Sequence, residues 1–254
     1  MNDPFAWVKD VKPFLIVDPA RFRSRGPNKL TSSRYAREFN EVKQLGSLTS
    51  SARTADQTDM ARFWAEGPAI WTRIAREKSA GRGLREADNA RLFAMLYLTA
   101  SDAVISCWQD KARWLFWRPI TAIREADRDG NPATEADPAW LPLITNPPYP
   151  DHASGLSCVG GSHAATLRDF FGNRAKFSIT SSSSNTTRSF TTFSQAIDEI
   201  VDARVYSGID FRAADVQGAR IGKQIARYRE RHYFRPKHDS SHRRHRSDRR
   251  HGTH

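Results

Sequence analysis

Apolar positions recur along most of this chain at intervals of three and four residues, the spacing that gathers them on one face of a helix. In "LTSSRYAREFNEVKQLG" they are Tyr35, Phe39, Val42 and Leu45, with Thr31 or Ser32 placed to cap the start and Gly46 the end. "TADQTDMARFWAEG" predicts a short helix. Pro68 suits the first turn of another, "PAIWTRIAREKSAG", whose Ile70, Ile74 and basic last turn fit a helix end. The longest signal is "LREADNARLFAMLYLTASDAVISCWQDKARWLFW", rich in Ala and Leu and free of Gly and Pro, with Pro119 expected to kink or end it. Asp102 interrupts its most apolar part, which therefore reads as a buried helix rather than a membrane span. Further helices are expected from Gly155 to Phe171, ending at Gly172, and over "FSQAIDEIVDARVYSGI" and "DVQGARIGKQIARYRERHYF".

Between these lie two other kinds of sequence. Residues 127–150 hold six prolines and one glycine, which predicts a long loop of the kind more often functional than ornamental. "SITSSSSNTTRS" reads as a flexible connection. No strand pattern of useful length and no internal repeat stands out. The expected fold is mainly α, a helical bundle. Its expected divisions are an extended segment over 1–29, a helical domain over 30–236 and a disordered tail over 237–254.

Composition changes this picture only at the edges. Of the 254 residues 39% are hydrophobic and 11% aromatic, which is globular. The cysteines, Cys107 and Cys158, form no C-x-x-C pair, which argues against a disulfide framework or a zinc knuckle. "MNDPFAWVKDVKPF" has no continuous apolar stretch, so no signal peptide is expected and the default compartment is the cytoplasm. Nothing in the residues specifies an oligomeric state. The net charge is +12, of which +4 belongs to the tail "KHDSSHRRHRSDRRHGTH" and +8 to the body. A His/Arg/Ser run with no apolar residue cannot pack; its functional readings are adhesion to nucleic acid or adventitious metal binding, beside the plainer reading of a solvated tail that does little. A basic body suits an anion site.

Three pieces suggest where that site is. In "KARWLFWRP", Lys111 and Arg118 flank an aromatic run before Pro119. Buried cations need an anion beside them. In "ASGLS", Ser154 and Gly155 stand at the start of an expected helix, where free N–H groups favour an anion and glycine allows close approach. In "DARVYSGIDFRAAD", Arg204 precedes Asp210 by six positions. Two arginines grip oxygens bidentately and a lysine supplies a point charge, so together these groups would cage a tetrahedral oxyanion such as phosphate or vanadate.

In this order the pieces resemble the vanadium-dependent haloperoxidases, which share a helical fold and pocket with the type-2 phosphatidic-acid-phosphatase superfamily. The family pattern is Lys-x6-Arg-Pro, then Pro-Ser-Gly-His, then Ser-Arg-x5-His-x3-Asp. The stretches "RTADQTDMARFWAEGPAIWTRIAR", "DNARLFAMLYLTASDA", "DGNPATEADPAWLPL" and "PPYPDHASGLSCVGGS" resemble bacterial members as well, so that the likeness covers roughly residues 11 to 236. The resemblance implies a bundle of the haloperoxidase/acid-phosphatase type that lacks helices its relatives carry upstream. It also implies a vanadate cofactor or bound phosphate, with peroxide and halide as reactants. Lys111, Arg118, Ser154, Gly155 and Arg204 fall on its oxyanion-binding positions.

The departures fall on the two catalytic histidine positions, which here are Leu156 and Asp210. The acidic residue of the last motif is Asp215, five positions after Asp210 rather than four. Leucine transfers no proton. An ionised Asp210 at about 4 Å from an oxyanion, with an effective dielectric near ~20, repels it by roughly 4 kcal/mol per unit charge. That corresponds to a factor of about a thousand in affinity. Alternatively the cations hold Asp210 itself, as an internal ion-pair cluster. His152 and His163 are the remaining candidates for a substitute acid/base. Three functions follow: an active haloperoxidase or phosphatase, a homologue with an anion pocket and reduced or lost turnover, and a nucleic-acid binder acting through the tail.

Overall fold

The computed structural model describes residues 3–235, so the tail from Lys237 and its expected disorder lie outside the described residues. Eight α-helices are present among the described residues: α1 (Ser33–Leu45), α2 (Ala55–Trp64), α3 (Ala69–Gly81), α4 (Glu86–Trp114), α5 (Pro119–Arg124), α6 (Gly155–Phe171), α7 (Phe193–Tyr206) and α8 (Arg212–His232). The helix starts follow capping chemistry. Ser32 accepts from the Tyr35 amide at 3.2 Å, and Thr54 forms a reciprocal capping box with Gln57. Helix α6 packs against α8, α4 and α7, so it is the central element of the bundle.

Two expectations need correction. "SITSSSSNTTRS" is not a flexible connection. It lies within an antiparallel hairpin of β1 (Arg174–Thr180) and β2 (Thr187–Thr192). Its alternation is carried by few apolar residues: Ala175 and Ile179 face inward from β1 and Phe190 from β2. Phe177 stands opposite Phe190, and hydroxyl pairs Ser178–Ser189 and Thr180–Thr187, each 2.8 Å apart, line the exposed face. The serine and threonine content that read as a linker is this solvent face. Second, Pro119 does not stop the long helix. Helix α4 already ends at Leu115, which takes the left-handed conformation (φ 45°), and Pro119 opens α5 as its first residue.

The N-terminal segment lies along α4. The Phe14, Leu15 and Ile16 amides donate to the buried Asp102 carboxylate at 2.7, 2.8 and 2.9 Å. The polar residue that interrupts the apolar run is thus a clamp for this segment. Helix α4 is long and apolar enough to cross a membrane by length and composition, yet 56% of its most apolar window is buried inside the protein. The Pro-rich stretch is irregular, as expected, but packed. Trp140 is buried and donates to the Lys43 carbonyl at 2.9 Å, while Asn131 donates to the Leu30 carbonyl at 2.7 Å.

Helices α6 and α8 approach through glycine. A Cβ on Gly218 would stand 2.5 Å from the Ser154 carbonyl oxygen, and one on Gly161 or Gly222 would overlap the facing backbone of Ala219 or Cys158. Cys107 on α4 and Cys158 on α6 face each other with Cα atoms 6.7 Å apart; they are 51 positions apart in sequence, and the packing of α4 on α6 brings them together.

Candidate functional site

The expected site residues stand at helix ends. Lys111 lies in the last turn of α4, Arg118 is the residue before α5, Ser154 caps α6, Arg204 lies in the last turn of α7, and Asp210 precedes α8. The positions of Lys111, Arg204 and Asp210 suit their charges, since helix C-termini favour cations and N-termini favour anions. Arg118, by contrast, stands at a helix start and is held by Asp210 and backbone carbonyls instead. In the folded chain these ends lie together.

At that place is the Asp210 carboxylate, fully buried. It pairs with Arg118 through Oδ1, accepts from Arg204 Nε at 2.6 Å and accepts from the Ser154 hydroxyl at 3.1 Å through Oδ2. Arg118 is held by two further acceptors, the Tyr149 carbonyl at 2.8 Å and the Ile209 carbonyl at 2.7 Å. Burial opposes the charge on Asp210, but the guanidiniums of Arg204 and Arg118 outweigh it and hold the carboxyl well below the usual carboxylate range.

Lys111 is buried in the same region without facing the carboxylate directly. Its Nζ donates to the Pro150 carbonyl at 2.6 Å and the Asp151 carbonyl at 2.9 Å, and it lies over the Tyr149 ring at 5.1 Å from the centroid. Burial, aided by Arg118, lowers its pKa to about 7. Gly155 is the first residue of α6, and the ring of Trp108 fills the space a side chain would need, 2.9 Å from an added Cβ.

Two further carboxyls complete the cluster: Asp151, which the sequence did not signal, and Asp215, the acidic residue of the last motif. Asp151 is fully buried 3.6 Å from Arg118 Nη1, and neither of its oxygens has a hydrogen-bond partner among the described residues. Asp215 accepts from the Ser157 hydroxyl at 2.9 Å. Burial first, and then repulsion from Asp210, push both well above the usual range. Asp151 and Tyr149 belong to "PPYPD", a stretch that reads as a Pro-rich loop, and nothing local in it signals contact with Arg118.

The two candidate substitutes separate. His152 is buried near Lys111, and its Nε2 is 2.9 Å from the Ser24 hydroxyl. Burial, then Lys111, lowers its pKa to about 3, so it is neutral at physiological pH. His163 is not brought to the cluster. It lies about 12 Å along the axis from the start of α6, at 1.5 Å per residue. Its ring faces Trp71 and Tyr97, and both nitrogens lack partners among the described residues. Leu156 is half-buried and lines a cavity of about 270 Å³ whose other walls include Trp64, Trp108, Tyr149, Arg118 and Arg204.

Residues 91–237 match the model of the VCPO second helical-bundle domain, which is more than half of the chain. The chain belongs to that family. Vanadium chloroperoxidase of Curvularia inaequalis is 29% identical over 186 residues, covering 63% of this chain and 30% of the relative. Among solved structures, a bacterial vanadium-dependent iodoperoxidase superposes with a TM-score of 0.77 at 26% identity, over 90% of this chain and 57% of that one. A holo-type bacterial vanadium-dependent chloroperoxidase shares the fold with a TM-score of 0.70 at 16% identity, over 88% and 53% of the two chains. The chain therefore spans about a third of its curated haloperoxidase relative and little more than half of the solved ones. Its helical-bundle architecture is that of the vanadium haloperoxidases.

Proposed function

We propose that this member of the haloperoxidase family keeps an oxyanion pocket whose anion is its own Asp210, and that vanadate-dependent halide oxidation is reduced or lost in it. One observation carries the reading: the buried Asp210 carboxylate accepts from Arg118, Arg204 and Ser154 together, the groups whose resemblance implies oxyanion contacts. Vanadate does not fit beside it. Arg118 Nη1, Arg204 Nε and the Ser154 hydroxyl are already engaged by Asp210, no imidazole stands at position 210, and a tetrahedral anion coordinated there would meet a carboxylate at close range. Leu156, which offers no proton, supports the same conclusion for turnover.

The test is halide oxidation by the full chain with added vanadate and hydrogen peroxide, and hydrolysis of a phosphomonoester, each against the protein-free reaction. The expected result is no rate above background in either assay. In the double variant Leu156→His with Asp210→His, vanadate binding is expected to rise. Turnover by the unmodified chain that disappears in His152→Ala would overturn this reading in favour of a substitute acid/base.

A further inference from the structure

The guanidiniums that hold Asp210 have donors left over. Arg118 uses Nε and Nη1, and Arg204 uses Nε; among the described residues Arg118 Nη2 and both terminal nitrogens of Arg204 make no hydrogen bond. The Arg118 side chain is only 1% exposed, yet neither its Nη2 nor the terminal nitrogens of Arg204 are sealed from solvent. Both arginines line the cavity of about 270 Å³, and among the described residues they are its only charged ones. The rest of its wall is apolar and aromatic, with Trp64, Trp108, Tyr149, Leu156 and Val159 prominent. Asp210 lies on one side of the guanidiniums and this cavity lies against the same two residues.

We propose that the cavity binds an organic monocarboxylate with an apolar body about the size of one ring. Its carboxylate takes the unused donors of Arg118 and Arg204, in the planar two-oxygen geometry that a guanidinium fork matches. Its body replaces water against the tryptophan and leucine walls. Such a combination of apolar walls with a few convergent polar groups is the usual make-up of a small-molecule site. Either anion meets the charge of Asp210, but only a ligand with an apolar body gains from these walls in return. This inference rests on the reading of Asp210 as the resident anion.

The experiment is calorimetric titration of the full chain with benzoate, with its neutral isostere benzamide, and with vanadate. Benzoate is expected to bind at least ten-fold more tightly than benzamide. Leu156→Trp, which fills the cavity from its apolar side and spares both arginines, is expected to weaken benzoate at least ten-fold, with an unchanged circular dichroism spectrum. Arg204→Lys, which keeps the charge and loses the fork, is expected to remove the preference for benzoate over benzamide. Equal affinity for benzoate and benzamide, or no measurable benzoate binding, overturns the inference. Weak vanadate binding beside absent benzoate binding removes this inference alone, whereas tight vanadate binding by the unmodified chain removes the resident-anion reading and this inference with it.

Discussion

A buried carboxylate between two guanidiniums is a strong constraint on the folded state. Replacing Asp210 by alanine leaves Arg118 and Arg204 without their counter-ion, and breaking one partner from a buried pair costs about 3–5 kcal/mol. Asp210→Ala is therefore expected to unfold at a clearly lower temperature, and millimolar phosphate should recover part of the loss by binding to the vacated cations. Thermal unfolding with and without phosphate checks both halves. The two buried histidines supply a pH dependence. Each has a folded pKa of about 3, below its unfolded value near ~6.5, so its contribution is fully present above the unfolded pKa and falls away toward the folded one. Stability in urea should decline as pH falls from 6.5, by at most about 1.4 kcal/mol per pH unit for each histidine, and His163→Leu should flatten part of that slope. Lys111, Arg118, Ser154 and Arg204 were legible in the sequence because their charges and order form a pattern. Asp151 and Tyr149 were not, because their partner Arg118 is about thirty positions away and reached only by a loop.

The helices were legible because each carries its own information. Apolar spacing fixes the face of α1, and Ser32 and Gly46 mark its ends. The hairpin was hidden because only a few residues per strand face inward and the outer face is Ser and Thr. The turn after α4 was misplaced because Leu115, not Pro119, adopts the left-handed conformation that ends it. Close packing of α6 on α8 matters most for the site, since Ser154 and Asp210 lie at their starts. Gly222→Ala would put a methyl group into the α6 backbone at Cys158 and Ser162. Overpacking of this kind costs about 1–3 kcal/mol. Urea unfolding of Gly222→Ala is expected to show that loss, whereas Gly81→Ala, where nothing lies near an added Cβ, should show none from crowding.

The molecule as a whole keeps the family's bundle while spanning only part of its relatives' length, and its helix ends converge on a cluster in which Asp210 pairs with Arg118 and Arg204. The bundle places the cations, and Arg118 and Arg204 hold Asp210. The most direct measurement is the vanadate dissociation constant of the unmodified chain and of Asp210→Ala, side by side at neutral pH and fixed ionic strength. Relief of a repulsion of roughly 4 kcal/mol predicts binding about a thousand-fold tighter in the variant. Equal affinities, or tighter binding by the unmodified chain, would contradict the assignment of Asp210 as the pocket's own anion.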